Sequence, residues 1–222
     1  MIRRDKKLAF VEPNEQRRDR LRRALVEWGV VPDVVLGKPF EFSADSLLER
    51  YADRAILLFA DPFGLGLSLD VLERVLRASS PHRPIDVLYH FSLLTIARMG
   101  RAAMEQGDGS PLAAQLDATL GDAGWRERFA EVEPGKDGAA TAAALDVAER
   151  FSHVVARRIG VPSLGIPIRR RPGHLPIYQL TLFTKDPLKR ALSDFADKAG
   201  KAHVDWLLHC EKERPVATAT VV

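Results

Sequence analysis

The fold is decided by the stretch Ala55-Ile56-Leu57-Leu58-Phe59-Ala60-Asp61-Pro62-Phe63-Gly64. The run from Ala55 to Ala60 is the most apolar in the chain and shows no alternation of polar and apolar residues. Such a run is typical of a parallel strand that is covered on both faces. Asp61-Pro62 ends it, so we expect a carboxylate at the C-terminal tip of a buried strand. In open α/β sheets ligands bind beyond these tips, which makes Asp61 a candidate site residue.

Strand and helix patterns alternate on both sides of this stretch. The predicted strands are 8–11, 33–36, 55–60, 85–91, 166–170 and 176–184. The predicted helices are 15–28, capped by Asn14, and 44–51, 68–78, 93–104, 139–159 and 187–199, the last of which can continue to His209. On the first helix, Leu21, Leu25 and Trp28 are expected to share the inner face. The alternation predicts an α/β fold with a Rossmann-like, mostly parallel sheet and helices on both faces.

The C-terminal part departs from this alternation. Its two strands flank Pro172-Gly173, a turn signal that predicts an antiparallel pair. We expect one domain over 1–214, with a helical and loop insertion at about 102–160 and a flexible tail over 215–222.

Composition restricts the cellular location and the kinds of ligand that we expect for this protein. The chain of 222 residues has one cysteine, Cys210, and no run near the ~18 apolar residues of a membrane span. These features predict a cytoplasmic protein without membrane contact. The histidines are too isolated to predict a metal site. Arginines cluster at 17–23 and 169–171. Such clusters can bind nucleic acid, although they are more often solvated surface.

Two strand ends carry candidate ligand contacts. Glu12 ends the first strand, where a carboxylate can accept hydrogen bonds from both hydroxyls of a ribose, or is simply a surface glutamate. After Asp61, Pro62 leaves a rigid exposed backbone and Phe63 can offer a flat face to a planar group. The alternative is a turn in which Asp61 caps the next helix and Phe63 packs in the core.

The neighbouring strand ends in Tyr89-His90-Phe91-Ser92. His90 is a candidate base or polar contact near Asp61. Arg98, on the helix that follows, can bind a phosphate or carboxylate, or form a salt bridge.

Several blocks resemble the three-Cys-motif partner proteins (the TcmP family). They run in order through about four-fifths of the chain, and the Asp-Pro-Phe-Gly block with the later Gly-x-x-x-Trp block is the most specific part. The blocks are Phe10-Val11-Glu12, residues 57–65, Val87-Leu88-Tyr89-His90-Phe91-Ser92 with Arg98, Gly121-Asp122-Ala123-Gly124-Trp125, and residues 178–184.

That resemblance implies a class I methyltransferase-like protein that uses S-adenosylmethionine. Glu12 would hold the cofactor ribose. Asp61-Pro62-Phe63 would stand where amino-methyltransferases carry Asp-Pro-Pro-Tyr, so the acceptor would be an amino group, most plausibly in nucleic acid. The resemblance also implies a separate radical-S-adenosylmethionine-like partner with three cysteines. A degenerate interaction module without catalysis is the alternative.

The chain departs from the family pattern in two ways. Gly64 stands where the block has its aromatic residue, and the family's first strand with its glycine-rich loop has no counterpart before Glu12. In the methyltransferase sheet order that strand lies centrally, and its omission would leave two apolar edges unpaired. Three explanations are open: a start upstream of Met1, a strand from a partner or swapped copy, or a sheet closed over the gap.

Overall fold

The computed structural model describes residues 7–61, 67–133, 138–185 and 190–212. The chain divides into two compact units, residues 1–52 and 53–222. The expected tail over 215–222 lies outside the described residues. No helix in the described part of the chain is both long enough and apolar enough to cross a membrane.

Strands and helices alternate through most of the chain, as the sequence predicts. The strands are β1 (Ala9–Val11), β2 (Val34–Leu36), β3 (Ile56–Ala60), β4 (Ile85–Ser92), β5 (Ser163–Arg169) and β6 (Pro176–Phe183). The helices are α1 (Glu15–Glu27), α2 (Phe40–Arg50), α3 (Leu69–Arg77), α4 (Leu93–Gln106), α5 (Pro111–Leu120), α6 (Trp125–Ala130), α7 (Ala139–Ile159), α8 (Arg190–Phe195) and α9 (Lys201–Lys212), with a π-helical segment (Ala196–Gly200) before α9.

In the first unit, β1 and β2 form a two-stranded parallel sheet. The Asn14 side chain caps α1 by accepting a hydrogen bond of 3.0 Å from the backbone N–H of Arg17. Leu25 is buried as expected, but the prediction for Trp28 is wrong, because its side chain is 74% exposed. Trp28 stands at the C-terminal cap of α1 and is followed by Gly29 with φ 65°, so the chain turns away where the helical face would have continued.

In the second unit, the sheet has the strand order β3-β4-β6-β5. β3 and β4 are parallel, and β6 runs antiparallel to both β4 and β5. The predicted antiparallel C-terminal pair is therefore confirmed. Because β5 points the same way as β3 and β4, the C-terminal ends of these three strands lie at one edge of the sheet. Of the four strand pairings in the described chain, two are parallel and two are antiparallel. The strands are therefore mixed in direction, and the prediction of a mostly parallel sheet is wrong.

One face of this sheet forms the core of the second unit. Tyr89 and Phe91 of β4 and Phe183 of β6 point to this face and are buried. The ring of Phe151 on α7 lies 5.5 Å from Tyr89, 5.2 Å from Phe91 and 6.2 Å from Phe183. The bounds of α7 are those predicted from the sequence. This aromatic cluster fixes β4, and with it the position of the candidate site at the end of β4.

The prediction that β3 is covered on both faces is wrong. Leu57 is 69% exposed and Phe59 is 56% exposed, whereas Ala60 is buried. Leu57 and Phe59 point to the face opposite the aromatic cluster, and this face of β3 is left uncovered. β3 also lies at the end of the sheet, with a hydrogen-bonded neighbour on one side only among the described residues. The exposed face of β3 and its free edge together form a surface that we call the open β3 side.

Candidate functional site

Asp61 and His90 meet at the C-terminal ends of two adjacent parallel strands. The register pairs Ala60 with Tyr89, so the next residue of each strand lies beside the other. The Oδ1 atom of Asp61 is 2.7 Å from the Nδ1 atom of His90. The structure therefore places His90 beside Asp61, as the sequence leads us to expect.

The two side chains differ in their access to solvent. The Asp61 side chain is 59% exposed, whereas that of His90 is 22% exposed. The Nδ1 atom of His90 is buried and makes no well-aligned hydrogen bond. Its contact with Asp61 is therefore short, but the angles are unfavourable for a hydrogen bond. The exposed carboxylate keeps acceptor capacity for a ligand, and the imidazole is close enough to exchange a proton with a group bound there.

Tyr178 is a third member of this cluster. It lies on β6 opposite Ser92, and its ring centroid is 4.6 Å from that of His90, with an angle of 59° between the rings. The sequence placed Tyr178 in a strand but gave it no role, since only the sheet order brings β6 next to β4. The site thus has a carboxylate, an imidazole and an aromatic ring in a row across three strands.

The structure does not show the other candidate residues of this unit in contact with Asp61, His90 or Tyr178. Arg98 is exposed on α4, and the described residues contain no hydrogen-bond or ion-pair partner for its guanidinium. Pro62 and Phe63 lie outside the described residues. Within the described chain, no group of three or more His, Cys, Asp or Glu side chains is placed to hold a metal ion.

Glu12 lies in the first unit, at the end of β1. Its Oε1 atom accepts a hydrogen bond of 2.9 Å from the backbone N–H of Asn14, which stabilises the turn into α1. The guanidinium of Arg18 donates to the backbone oxygens of Glu12 at 3.0 Å and Pro13 at 3.2 Å. A Cβ atom on Gly37 would lie 2.7 Å from the same guanidinium. Arg18 therefore joins the ends of β1 and β2, a role that its place in an arginine cluster did not reveal.

This arrangement tests Glu12 as a ribose contact. A ribose diol is best held by two acceptor oxygens, and one of the two in Glu12 already serves the turn. The Oε2 atom makes no hydrogen bond within the described chain. One oxygen of Glu12 is therefore left to accept from a ligand, and the ribose contact stays a prediction.

The block Gly121-Asp122-Ala123-Gly124-Trp125 has a structural role. Asp122 accepts a hydrogen bond of 2.8 Å from the backbone N–H of Gly124 and pairs with Arg150 at 3.3 Å. Trp125 is 1% exposed, and its indole N–H donates to Asp117 at 2.8 Å. The block builds the start of α6 rather than a ligand site.

Tyr89 and Asp117 of the second unit have shifted pKa values with clear physical causes. Burial raises the pKa of Tyr89. The hydrogen bonds from Arg126 lower the pKa of Asp117. Both residues belong to the packed interior and its border, so these shifts report on the scaffold that holds the site.

Comparison with known proteins adds no assignment: no family model matches the chain, and neither the curated proteins nor the solved structures include a match.

Proposed function

We propose that this chain is a methyltransferase-like protein of the three-Cys-motif partner family that acts on an amino group with S-adenosylmethionine. The observation that carries the proposal is the contact of 2.7 Å between Asp61 and His90 at the tips of β3 and β4. Strand tips are where open α/β sheets bind ligands, and these two residues stand in the blocks that resemble the family.

The sheet of the second unit also supports the proposal. It combines a parallel pair, β3 and β4, with the antiparallel C-terminal strands that the Rossmann-like methyltransferase fold leads us to expect. The exposed carboxylate of Asp61 suits an acceptor for the N–H of an amine, and the tilted ring of Tyr178 lies behind His90. The carboxylate can accept from a planar amine at this edge, and the two rings line the sheet next to it.

Each residue has a limited task in this proposal. The bound cofactor would supply the activated methyl group, so the chain needs mainly to position the acceptor. Asp61 orients the amine by accepting its hydrogen bond, and His90 is placed to take up a proton released there. Glu12 would hold the cofactor ribose through its free oxygen. A radical-S-adenosylmethionine-like partner with three cysteines belongs to the same proposal.

The test is transfer of labelled methyl groups from S-adenosylmethionine to a set of nucleosides and oligonucleotides. We expect transfer with the unaltered chain and a loss of 10-fold or more with Asp61→Ala. Asp53→Ala is the matched control, because Asp53 lies near the other end of β3 and its side chain is 82% exposed. Calorimetry with S-adenosylmethionine provides the second readout. Absence of both binding and transfer refutes the proposal.

The open β3 side favours a second candidate, a non-catalytic interaction module. Exposed leucine and phenylalanine on an end strand, at 69% and 56%, are typical of a surface that another polypeptide covers. This candidate predicts stable association with a partner and no transfer. Methyl transfer that disappears in Asp61→Ala and persists in Asp53→Ala would exclude it.

A further inference from the structure

The arginine-rich turn between β5 and β6 lies at the same sheet edge as Asp61 and His90. β5 is parallel to β3 and β4, so its last residue, Arg169, is at the edge where those strands end. Three strand spacings of about 4.8 Å separate β3 from β5, and the register places Arg169 three residues beyond the level of Asp61, so the turn begins roughly 17 Å from Asp61. Sequence position alone gave no sign of this proximity.

The backbone of the turn that carries these arginines has a defined conformation. The backbone N–H of His174 donates to the backbone oxygen of Arg171 at 3.3 Å, which closes the turn Arg171-Pro172-Gly173-His174. Gly173 has φ 73°, the left-handed value that such a turn needs at its third residue, and proline fixes the φ of the second. The turn is therefore pre-organised, and ordering it for a ligand costs little entropy.

The arginine side chains are available. Arg170 and Arg171 are exposed, and neither they nor Arg169 pair with a carboxylate among the described residues. His203 of α9 uses its Nε2 atom to accept from the backbone N–H of Arg169 at 3.0 Å. This contact holds the base of the turn through its backbone and leaves the guanidinium groups for another partner.

Two aromatic side chains lie on the elements next to the turn. Tyr178 pairs with Ile168, the residue before Arg169, and points to the same face as His90. Trp206 lies about one helical turn after His203 on α9 and is 52% exposed. Guanidinium groups that bind phosphates, together with ring faces that stack on bases, are the combination that single-stranded nucleic acid requires. An acidic peptide would use the charges but not the rings.

We infer that the Arg169–Arg171 turn binds the backbone of a single-stranded nucleic acid whose target base reaches the Asp61–His90 pair. This inference rests on the proposed function for the identity of the site, and it adds the substrate class and the surface that binds it. A single strand is favoured because a base inside a duplex cannot reach a side chain at the end of a strand without leaving its stack.

Fluorescence anisotropy with a labelled 20-nucleotide RNA, without S-adenosylmethionine, tests the inference. For single strands the logarithm of the binding constant falls by about 0.7 per neutralised phosphate for each tenfold rise in salt. We expect Arg170→Ala combined with Arg171→Ala to lower the slope by about 1.4 and to weaken binding roughly 10- to 25-fold at 100 mM salt.

The matched control is Arg20→Ala combined with Arg23→Ala, which removes two exposed arginines of α1. We expect it to keep the slope and the affinity. The inference would be overturned if the control variant lost as much affinity as the turn variant, or if no RNA binding were seen at 50 mM salt. It would also be overturned if polyglutamate displaced the labelled RNA as well as unlabelled RNA does. Binding that depends on the turn without any methyl transfer would support this surface and count against the proposed activity alone.

Discussion

Replacing Asp117 by Asn should destabilise the second unit by an amount that depends on pH. Asp117 receives two hydrogen bonds from the guanidinium of Arg126, at 2.5 Å to Oδ1 and 2.9 Å to Oδ2. Its Oδ1 atom also accepts the indole N–H of Trp125 at 2.8 Å. Asn keeps an oxygen for Trp125 but removes the charge, so this variant isolates the ion pair.

The magnitude follows from the geometry. A hydrogen bond to a charged group contributes about 1.5–3 kcal/mol. The Asp117 side chain is 38% exposed and that of Arg126 is 21% exposed, so solvent screening reduces this value. We expect the free energy of unfolding to fall by about 1–2 kcal/mol in Asp117→Asn at neutral pH. Asp117→Ala should cost about 1–3 kcal/mol more, because the buried indole N–H loses its acceptor.

The sign of the pH dependence is fixed by the pKa of Asp117, which the Arg126 hydrogen bonds hold below its ordinary value. The stabilisation is complete above the unfolded pKa, about 3.9, and is lost as pH falls through the lower folded pKa. Urea unfolding followed by circular dichroism should therefore show a constant difference between wild type and Asp117→Asn from pH 7 to about pH 4.5, and a narrowing difference below about pH 4.

Asp108→Asn is the matched control, because Asp108 contacts the same arginine. Its carboxylate lies 2.8 Å from the Nε atom of Arg126, but its side chain is 88% exposed. We expect a loss below about 0.5 kcal/mol. Equal losses in Asp108→Asn and Asp117→Asn, or a difference that does not change below pH 4, would refute the reasoning.

Three further outcomes are expected. Asp61→Asn should retain more methyl transfer than Asp61→Ala, because Asn keeps an acceptor oxygen; equal kcat/KM values for the two variants count against an orienting role. Gly100→Ala should lower the free energy of unfolding by about 1–3 kcal/mol, since the added Cβ would lie 2.5 Å from the Phe129 ring; unchanged urea unfolding contradicts this packing. Phe59→Lys should raise the solubility of the chain without a loss of stability, because the side chain is 56% exposed on an end strand; a lower midpoint in urea would show that Phe59 is buried.

Local patterns were sufficient to predict the elements whose signals are strong. The helical spacing of Ala144, Val147, Phe151 and Val155 predicted α7, and all four side chains are buried. The turn at Pro172-Gly173 predicted the antiparallel pair, because Gly173 supplies the positive φ that joins its strands. These features depend on residues close together in the chain, so the sequence carries them directly.

The surroundings of each element could not be predicted in the same way. An apolar run such as Ile56–Ala60 indicates a strand, but only the sheet order shows that it lies at the end of a sheet. The same order brings Tyr178 to His90 and the arginine turn to the edge of Asp61. Arg18 had the appearance of a solvated cation, whereas it donates to the backbone at the end of β1. Contacts distant in sequence decide all of these features.

The alternation of side chains along β4 explains how one strand serves both stability and the candidate site. Tyr89 points into the aromatic core, and the next residue, His90, points to the opposite face beside Asp61. That face is exposed at Leu57 and Phe59, so water reaches the carboxylate at the tip of β3. A macromolecule that covers the open β3 side would exclude this water. Hydrogen bonds made by Asp61 would then strengthen, since the local dielectric constant falls. Docking and assembly of the site would be one event, and for this reason we expect a large acceptor to be used better than a free nucleoside.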